Sequence, residues 1–242
     1  MHQIFEFKEI NSTNTYLKDN YKNLSDGDVV VAEHQLSGRG RQGRVWKDDS
    51  NSLLFSILLK DHINPSSISL IPLLTGVAIY LSLSELGISS SIKWPNDVLI
   101  KGKKCTGILL EAVSEETIEA VIVGVGINLN DESFDSSIQN KAVSLAQELK
   151  RKLNKKEVLN IILKNFDSLY SDYVKGVNSF IPILKDHSFL DGKEVYLNYY
   201  GEQKHAKVLS ISDDGRLKVL IKNKITYLSA GEVTLQSAYT QD

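Results

Sequence analysis

A chain of 242 residues, 42% hydrophobic and 24% charged, can bury the core of one large domain with a small appendage, which excludes a disordered or fibrous protein. A formal net charge of -2 lacks the basic surplus of a protein built to coat nucleic acid. The one cysteine, Cys105, excludes an internal disulfide and fits a reducing, cytoplasmic setting. Residues 1–7 lack the basic-then-apolar order of a secretion signal. The most apolar stretch, 68–86, is broken by Ser69, Pro72, Thr75, Ser82, Ser84 and Glu85; it reads as a buried core helix with no call for a membrane.

In chain order, residues 4–7 suit a short strand. Asn11, Ser12, Thr13 and Asn14 are N-cap residues ahead of a helix opening at 15–18. Asp26-Gly27 marks a turn, and 29–32 is apolar and short enough for a buried strand. A glycine- and arginine-rich loop follows, then a second buried strand at 53–59. The helix at 68–86 tolerates Pro72 only near its first turn, and Gly87 closes it. Strands are predicted at 98–101 and 106–113 around a turn at 101–103, and at 120–129; 130–141 is polar and loop-like. Leu159, Ile162, Leu163, Phe166, Leu169, Tyr170 and Tyr173 recur at helical spacing. Short strands at 195–197, 206–211, 217–221 and 225–228, parted by Gly201, Asp213-Asp214-Gly215 and Lys222-Asn223-Lys224, point to a small antiparallel barrel beyond a boundary near residue 188.

Five motifs carry chemistry. Residues 37–44 interleave Gly38, Gly40 and Gly43 with Arg39, Arg41 and Arg44. Glycines let backbone approach a ligand, and guanidinium forks suit carboxylate and phosphate oxygens. A solvated basic loop explains the composition equally well, but the position between two buried strands favours a site. Lys93-Trp94-Pro95-Asn96-Asp97 offers hard oxygens suited to Mg²⁺ beside a phosphate; alone, an ordinary turn over a packed Trp94 explains it better. Lys103-Lys104-Cys105-Thr106-Gly107-Ile108-Leu109 leads into a buried strand, at whose start a lysine can point into a cleft and pair with a negative substrate. Solvated hairpin lysines are the plainer reading, and no His and acid arrangement activates Cys105, which reads as a buried structural thiol. Gly124-Val125-Gly126-Ile127-Asn128 has Leu129 where a dinucleotide fingerprint needs its third glycine, and runs from a strand into a loop, so that fingerprint is rejected. Ser12-Thr13-Asn14 is either a helix cap or a set of groups for a neutral polar ligand.

The order of these motifs is more specific than any one of them. Ser-Thr-Asn at 12–14, Gln35 before Gly-Arg-Gly-Arg-Gln-Gly-Arg-Val-Trp at 38–46, Lys-Trp-Pro-Asn-Asp at 93–97, Lys104 with Gly107, Ile108 and Leu109, Gly-Ile-Asn at 126–128 and the run 228–233 resemble the biotin–protein ligase family. The resemblance implies an α+β fold: a mixed sheet flanked by helices, as in class II aminoacyl-tRNA synthetases and biotin ligases, followed by a small Src-homology-3-like β-barrel. The corresponding domains are 1–187, catalytic, and 188–242. It implies ATP and biotin as substrates with Mg²⁺, and a two-step reaction through biotinyl-adenylate to a lysine of a biotin carboxyl carrier domain.

By the same resemblance, biotin is held by Ser12, Thr13, Asn14, Gln35, Gly38, Arg39, Gly40, Arg41, Lys104 and Gly107. ATP is met by Arg41, Arg44, Trp46, Lys93, Asn96 and Asn128. Lys104, Arg41 and Arg39 carry the chemistry, and Asp97 is the candidate Mg²⁺ ligand. Relatives often have Ser-Pro after the tryptophan; here the stretch is Lys47-Asp48-Asp49-Ser50-Asn51-Ser52, so the shape of the loop's exit stays open. Only eleven residues precede Ser12, too few for a helix-turn-helix, so no DNA binding is expected. A homodimer stays open. The alternatives are a lipoate or octanoate ligase on the same fold and a non-catalytic biotin-binding protein.

Overall fold

Hydrophobic patterning sorts this chain into two sheets. The computed structural model describes residues 2–47, 50–199, 202–229 and 234–236; Asp48 and Asp49 of the loop exit, the Gly201 turn and residues 230–233 of the C-terminal run lie outside the described residues. The first part comprises β1 (Ile4–Ile10), α1 (Thr13–Asn20), β2 (Val29–Gln35), β3 (Leu53–Leu59), α2 (Ile71–Glu85), β4 (Ser91–Lys93), β5 (Asp97–Ile100), β6 (Lys103–Ser114) and β7 (Ile118–Ile127). Three helices follow: α3 (Leu145–Leu149), α4 (Lys155–Val174) and α5 (Phe180–Asp186). The second part comprises β8 (Glu194–Tyr199), β9 (Glu202–Ile211), β10 (Leu217–Ile221), β11 (Lys224–Leu228) and β12 (Thr234–Gln236).

The larger sheet has the order β1-β2-β3-β7-β6-β5-β4. β1 and β2 are parallel and the other pairs antiparallel, so the sheet is mixed. Period-two alternation divides its side chains. Phe55, Ile57, Leu59, Val121 and Val123 join the α2 and α4 side of the core. Val30, Leu58, Ala120 and Ile122 pack with Leu17 and Tyr21 of α1 on the opposite face. Helices therefore flank the sheet on both faces, and β3 is buried at every residue. Each fully buried Leu, Ile or Val contributes about 1.5–3 kcal/mol.

The second sheet is antiparallel, order β11-β10-β9-β8-β12, and its Val195, Leu197, Ala206 and Val208 belong to the same apolar cluster as α2. Trp94, 1% exposed, joins the two parts: its indole N–H donates to Gly215 O at 3.0 Å.

The apolar stretch at 68–86 divides into a 3-10 turn, Ile68–Leu70, and α2, with Pro72 at the first helical positions. There its missing N–H has no intrahelical acceptor to lose. By length and composition Ile68–Glu85 could cross a membrane, yet 67% of it is buried inside the fold. β5 begins one residue earlier than the pattern predicts, and Lys101 and Gly102 take left-handed dihedrals in the turn to β6. β4, α3 and α5 have no counterpart in the sequence reading, since three, five and seven residues are too few to display a period.

Candidate active site

Alternation places the site. On the α1 face, Leu54 and Ser56 of β3 stand opposite Gly126 and Gly124 of β7, and these stand opposite Gly107 and Leu109 of β6. Two of these glycines are required by close approach. A Cβ at Gly124 would lie 2.2 Å from Asn14 Oδ1, and one at Gly126 would lie 2.6 Å from the Trp46 ring. The bare strands form a shelf, with the start of α1 at one end and the 38–46 loop above.

The α1 end is a neutral hydrogen-bond network. Gln35 Oε1 accepts from the Thr13 backbone N–H at 2.7 Å and from its hydroxyl at 3.1 Å. The Ser56 hydroxyl lies 2.7 Å from Thr13 Oγ1 and donates to Asn14 Oδ1 at 2.6 Å. Asn14 Nδ2 donates to Glu111 Oε2 at 2.7 Å. Ser12 occupies the N-cap position, but its hydroxyl makes no capping bond; it is buried and lines the cavity. A plain helix cap therefore does not account for residues 12–14.

The loop end is cationic. The loop folds back on itself: Trp46 N–H donates to Gly38 O at 2.9 Å, Gly40 N–H donates to Arg44 O at 2.7 Å, and Arg39 bridges Val45. Arg41 reaches the cavity and donates to Asn96 Oδ1 at 2.9 Å, while Asn96 Nδ2 donates to Ile108 O at 2.9 Å. Burial holds the Arg41 guanidinium below its usual range, and Asp97 counters. Lys104 Nζ lies 2.7 Å from Asp97 Oδ1, but that oxygen has no hydrogen-bond partner, so the contact is a charge pair lacking hydrogen-bond alignment. Lys93, 5% exposed, is pushed down to about 8 by burial first; Asp97 opposes this, and Lys104 and Arg44 add to it. Such shifts cluster where a fold holds charges for a ligand.

Between the two ends, Trp46 lies across Gly107 and Gly126, with Lys104 Nζ 5.7 Å from its ring. Its Nε1 is buried with no hydrogen-bond partner. The cavity is about 60 Å³, room for a few waters.

The structure thus brings Ser12, Thr13, Asn14, Gln35, Arg39, Gly40, Arg41, Trp46, Asn96, Lys104 and Gly107 around one cavity. Gly38, Arg44, Lys93, Asp97 and Asn128 stand outside that lining. Gly38 serves the loop's own hairpin, and Arg44 is exposed, with backbone contacts inside the loop. The Asn128 amide donates to Lys104 O and Val143 O at 3.2 and 3.3 Å, holding the strand end. The Arg39 guanidinium turns to Thr15 Oγ1 at 2.8 Å and to Glu111 at 3.7 Å. Cys105 is fully buried, and burial raises its thiol to about 12, as a structural thiol requires. Ser56 and Glu111 escaped the sequence reading. Ser56 is the one hydroxyl in the apolar strand 53–59, and that polar residue at a core position was the available signal.

Residues 6–128 match the Biotin/lipoate A/B protein ligase family. The bifunctional ligase/repressor BirA of Bacillus subtilis is 33% identical over 221 residues, 88% of this chain and 67% of that protein. The chain spans 49% of Escherichia coli BirA, at 30% identity. The biotin protein ligase of Aquifex aeolicus, solved with biotin and ATP, superposes with a TM-score of 0.88 at 30% identity, covering 98% of this chain and 99% of that one. With a family model over residues 6–128 and a relative 33% identical over 88% of this chain and 67% of its own length, the chain belongs to the biotin/lipoate A/B protein ligase family.

Proposed function

We propose that this protein is a biotin–protein ligase in which the cavity between α1 and the 38–46 loop holds biotin at the α1 end and the ATP α-phosphate at the loop end. The observation that carries this is the pairing of a neutral donor–acceptor network with Arg41 and Lys104 in one lining. A ureido ring has a carbonyl acceptor and two N–H donors, which Ser12, Thr13, Asn14 and Gln35 can answer. A lipoyl dithiolane has neither, and burying these groups against it would leave them unpaired. This favours biotin over a lipoate or octanoate substrate.

In the first step a carboxylate oxygen of biotin attacks the α-phosphate, the bond to pyrophosphate breaks, and biotinyl-adenylate forms. Lys104 and Arg41 stabilise the charge gathering between carboxylate and phosphate. In the second step the lysine amine of a biotin carboxyl carrier domain attacks the acyl carbon, giving an amide and AMP. The 38–46 loop and Trp46 exclude water from the mixed anhydride, which would otherwise hydrolyse.

Among the described residues no group of three or more His, Cys, Asp or Glu could cage a metal. One carboxylate suffices for Mg²⁺ when substrate phosphates and water complete the shell. Asp97, with an oxygen lacking a hydrogen-bond partner, fits that part. Bound there, Mg²⁺ would offset phosphate charge.

The reading extends to the rest of the chain. Residues 1–187 form the catalytic domain. Residues 188–242 form a Src-homology-3-like barrel, supported by the five-stranded antiparallel sheet. A buried lone thiol suits the cytoplasm. The test is transfer: a carrier domain should gain biotin with ATP and Mg²⁺, and pyrophosphate exchange should depend on biotin. Exchange with lipoate alone would overturn the assignment.

A further inference from the structure

Glu111 is an acid with no place in the chemistry above. It stands on β6 opposite Ile122 of β7, two residues beyond the cavity-lining Leu109, and is itself outside that lining. It cannot act as a base on a ligand it does not reach. Among the described residues no metal-holding cluster includes it. Its Oε2 does two other things at once: it accepts from Asn14 Nδ2 at 2.7 Å and faces Arg39 NH2 at 3.7 Å.

These two partners belong to different parts of the site. Asn14 is a member of the neutral network, and its carbonyl is turned to Ser56 because its amide is held by Glu111. Arg39 belongs to the loop, bridged to Val45 within the hairpin that carries Trp46. The side chain of Arg39 meets the floor twice, at Thr15 Oγ1 and at Glu111. It is a tie between roof and floor more than a ligand for the substrate anion.

We propose that Glu111 is a positioning residue that clasps the 38–46 loop through Arg39 while orienting Asn14, and so sets how long the closed site retains its intermediate. The clasp rests on the ligase reading. It assigns Arg39 to retention of biotinyl-adenylate, leaving the charge at the reacting atoms to Arg41 and Lys104. The side chains of Arg39 and Glu111 are 48% and 23% exposed, so their attraction is screened and modest.

The conservative variant separates the two contacts. E111Q keeps an oxygen for Asn14 but loses the charge that draws Arg39. Release of biotinyl-adenylate, formed in place from biotin and ATP, should quicken about threefold, with the biotin KM in pyrophosphate exchange unchanged. R39Q should match that release rate, and the double variant should be no faster than either single one. Added salt should bring wild-type release toward the E111Q rate and leave E111Q unmoved. E111A loses both contacts and should also raise the biotin KM about tenfold. Wild-type release from E111Q, or additive effects in the double variant, would overturn the clasp. Absence of biotin-dependent exchange in the wild type would instead overturn the ligase reading.

Discussion

The two ends of the cavity are built on opposite principles. At the α1 end, polar groups of Thr13, Asn14, Gln35 and Ser56 are held by one another in fixed directions, and none carries a charge. At the loop end, Arg41, Lys93 and Lys104 share the field of one carboxylate, Asp97. Burial lowers Lys93 to about 8, so its cation is held against its own preference. A satisfied network is rigid and selective. A buried cation such as Lys93 costs desolvation free energy, which a bound anion would offset. On the proposed function, the protein recognises with the neutral end and reacts at the charged one.

The comparison breaks most sharply at Lys104. Lys104→Ala should slow adenylate formation about 10²–10³-fold, as for a lost oxyanion donor, with the affinity for biotin's ring little changed. Pyrophosphate exchange together with direct biotin binding measures both; wild-type exchange in the variant would remove Lys104 from the chemistry.

Lys93 separates function from stability. The family resemblance implies that Lys93 meets ATP, although it stands outside the cavity lining. On that proposal, a charged-group hydrogen bond of about 1.5–3 kcal/mol makes Lys93→Met raise the ATP KM about 10- to 100-fold, and an unchanged ATP KM would remove Lys93 from the site. The same change removes a buried cation and should leave the melting temperature equal or higher. A clear fall in melting temperature would show that the lysine stabilises the fold.

Gly124→Ala attacks the neutral end. Its new methyl would meet Asn14 Oδ1, and such overpacking costs about 1–3 kcal/mol. The biotin KM should rise and kcat for exchange should hold at saturating biotin. Crystallography of the variant with Asn14 unmoved would contradict the account.

The smallest effect lies outside both ends and serves as a control. His2 Nε2 meets Asp167 at 2.8 Å and Nδ1 meets Gly27 O at 2.5 Å. The hydrogen bond to Asp167 leads in raising its pKa above 6.5, and burial opposes. A raised folded pKa stabilises most below the unfolded value, and the gain fades as pH rises through the folded one. The free energy of unfolding should therefore decline slightly from pH 6 to 8 in the wild type, by less than about 1 kcal/mol, and not in His2→Gln. Biotin exchange should be indifferent to the change.

Much of this was legible along the chain because it depends on near neighbours. Apolar runs at 53–59 and 68–86 and helical spacing at 159–173 declared β3, α2 and α4. The glycines and arginines at 38–44, and the ordered motifs through 128, include residues at both ends of the cavity. Short elements such as β4 and α5 were illegible, since they have too few residues to repeat and are held by contacts far away in sequence. Within the site, residue type announced an anion-binding loop, but direction came from packing. Arg39 and Arg41 look alike in Gly-Arg-Gly-Arg, yet one turns to Thr15 and Glu111 and the other to Asn96. Glu111 lies 97 residues from Asn14 and meets it only because β6 pairs beside β7 under α1. A hydrogen bond needs its partners within about 3 Å, and for residues so distant in sequence the folding of the sheet alone brings that about.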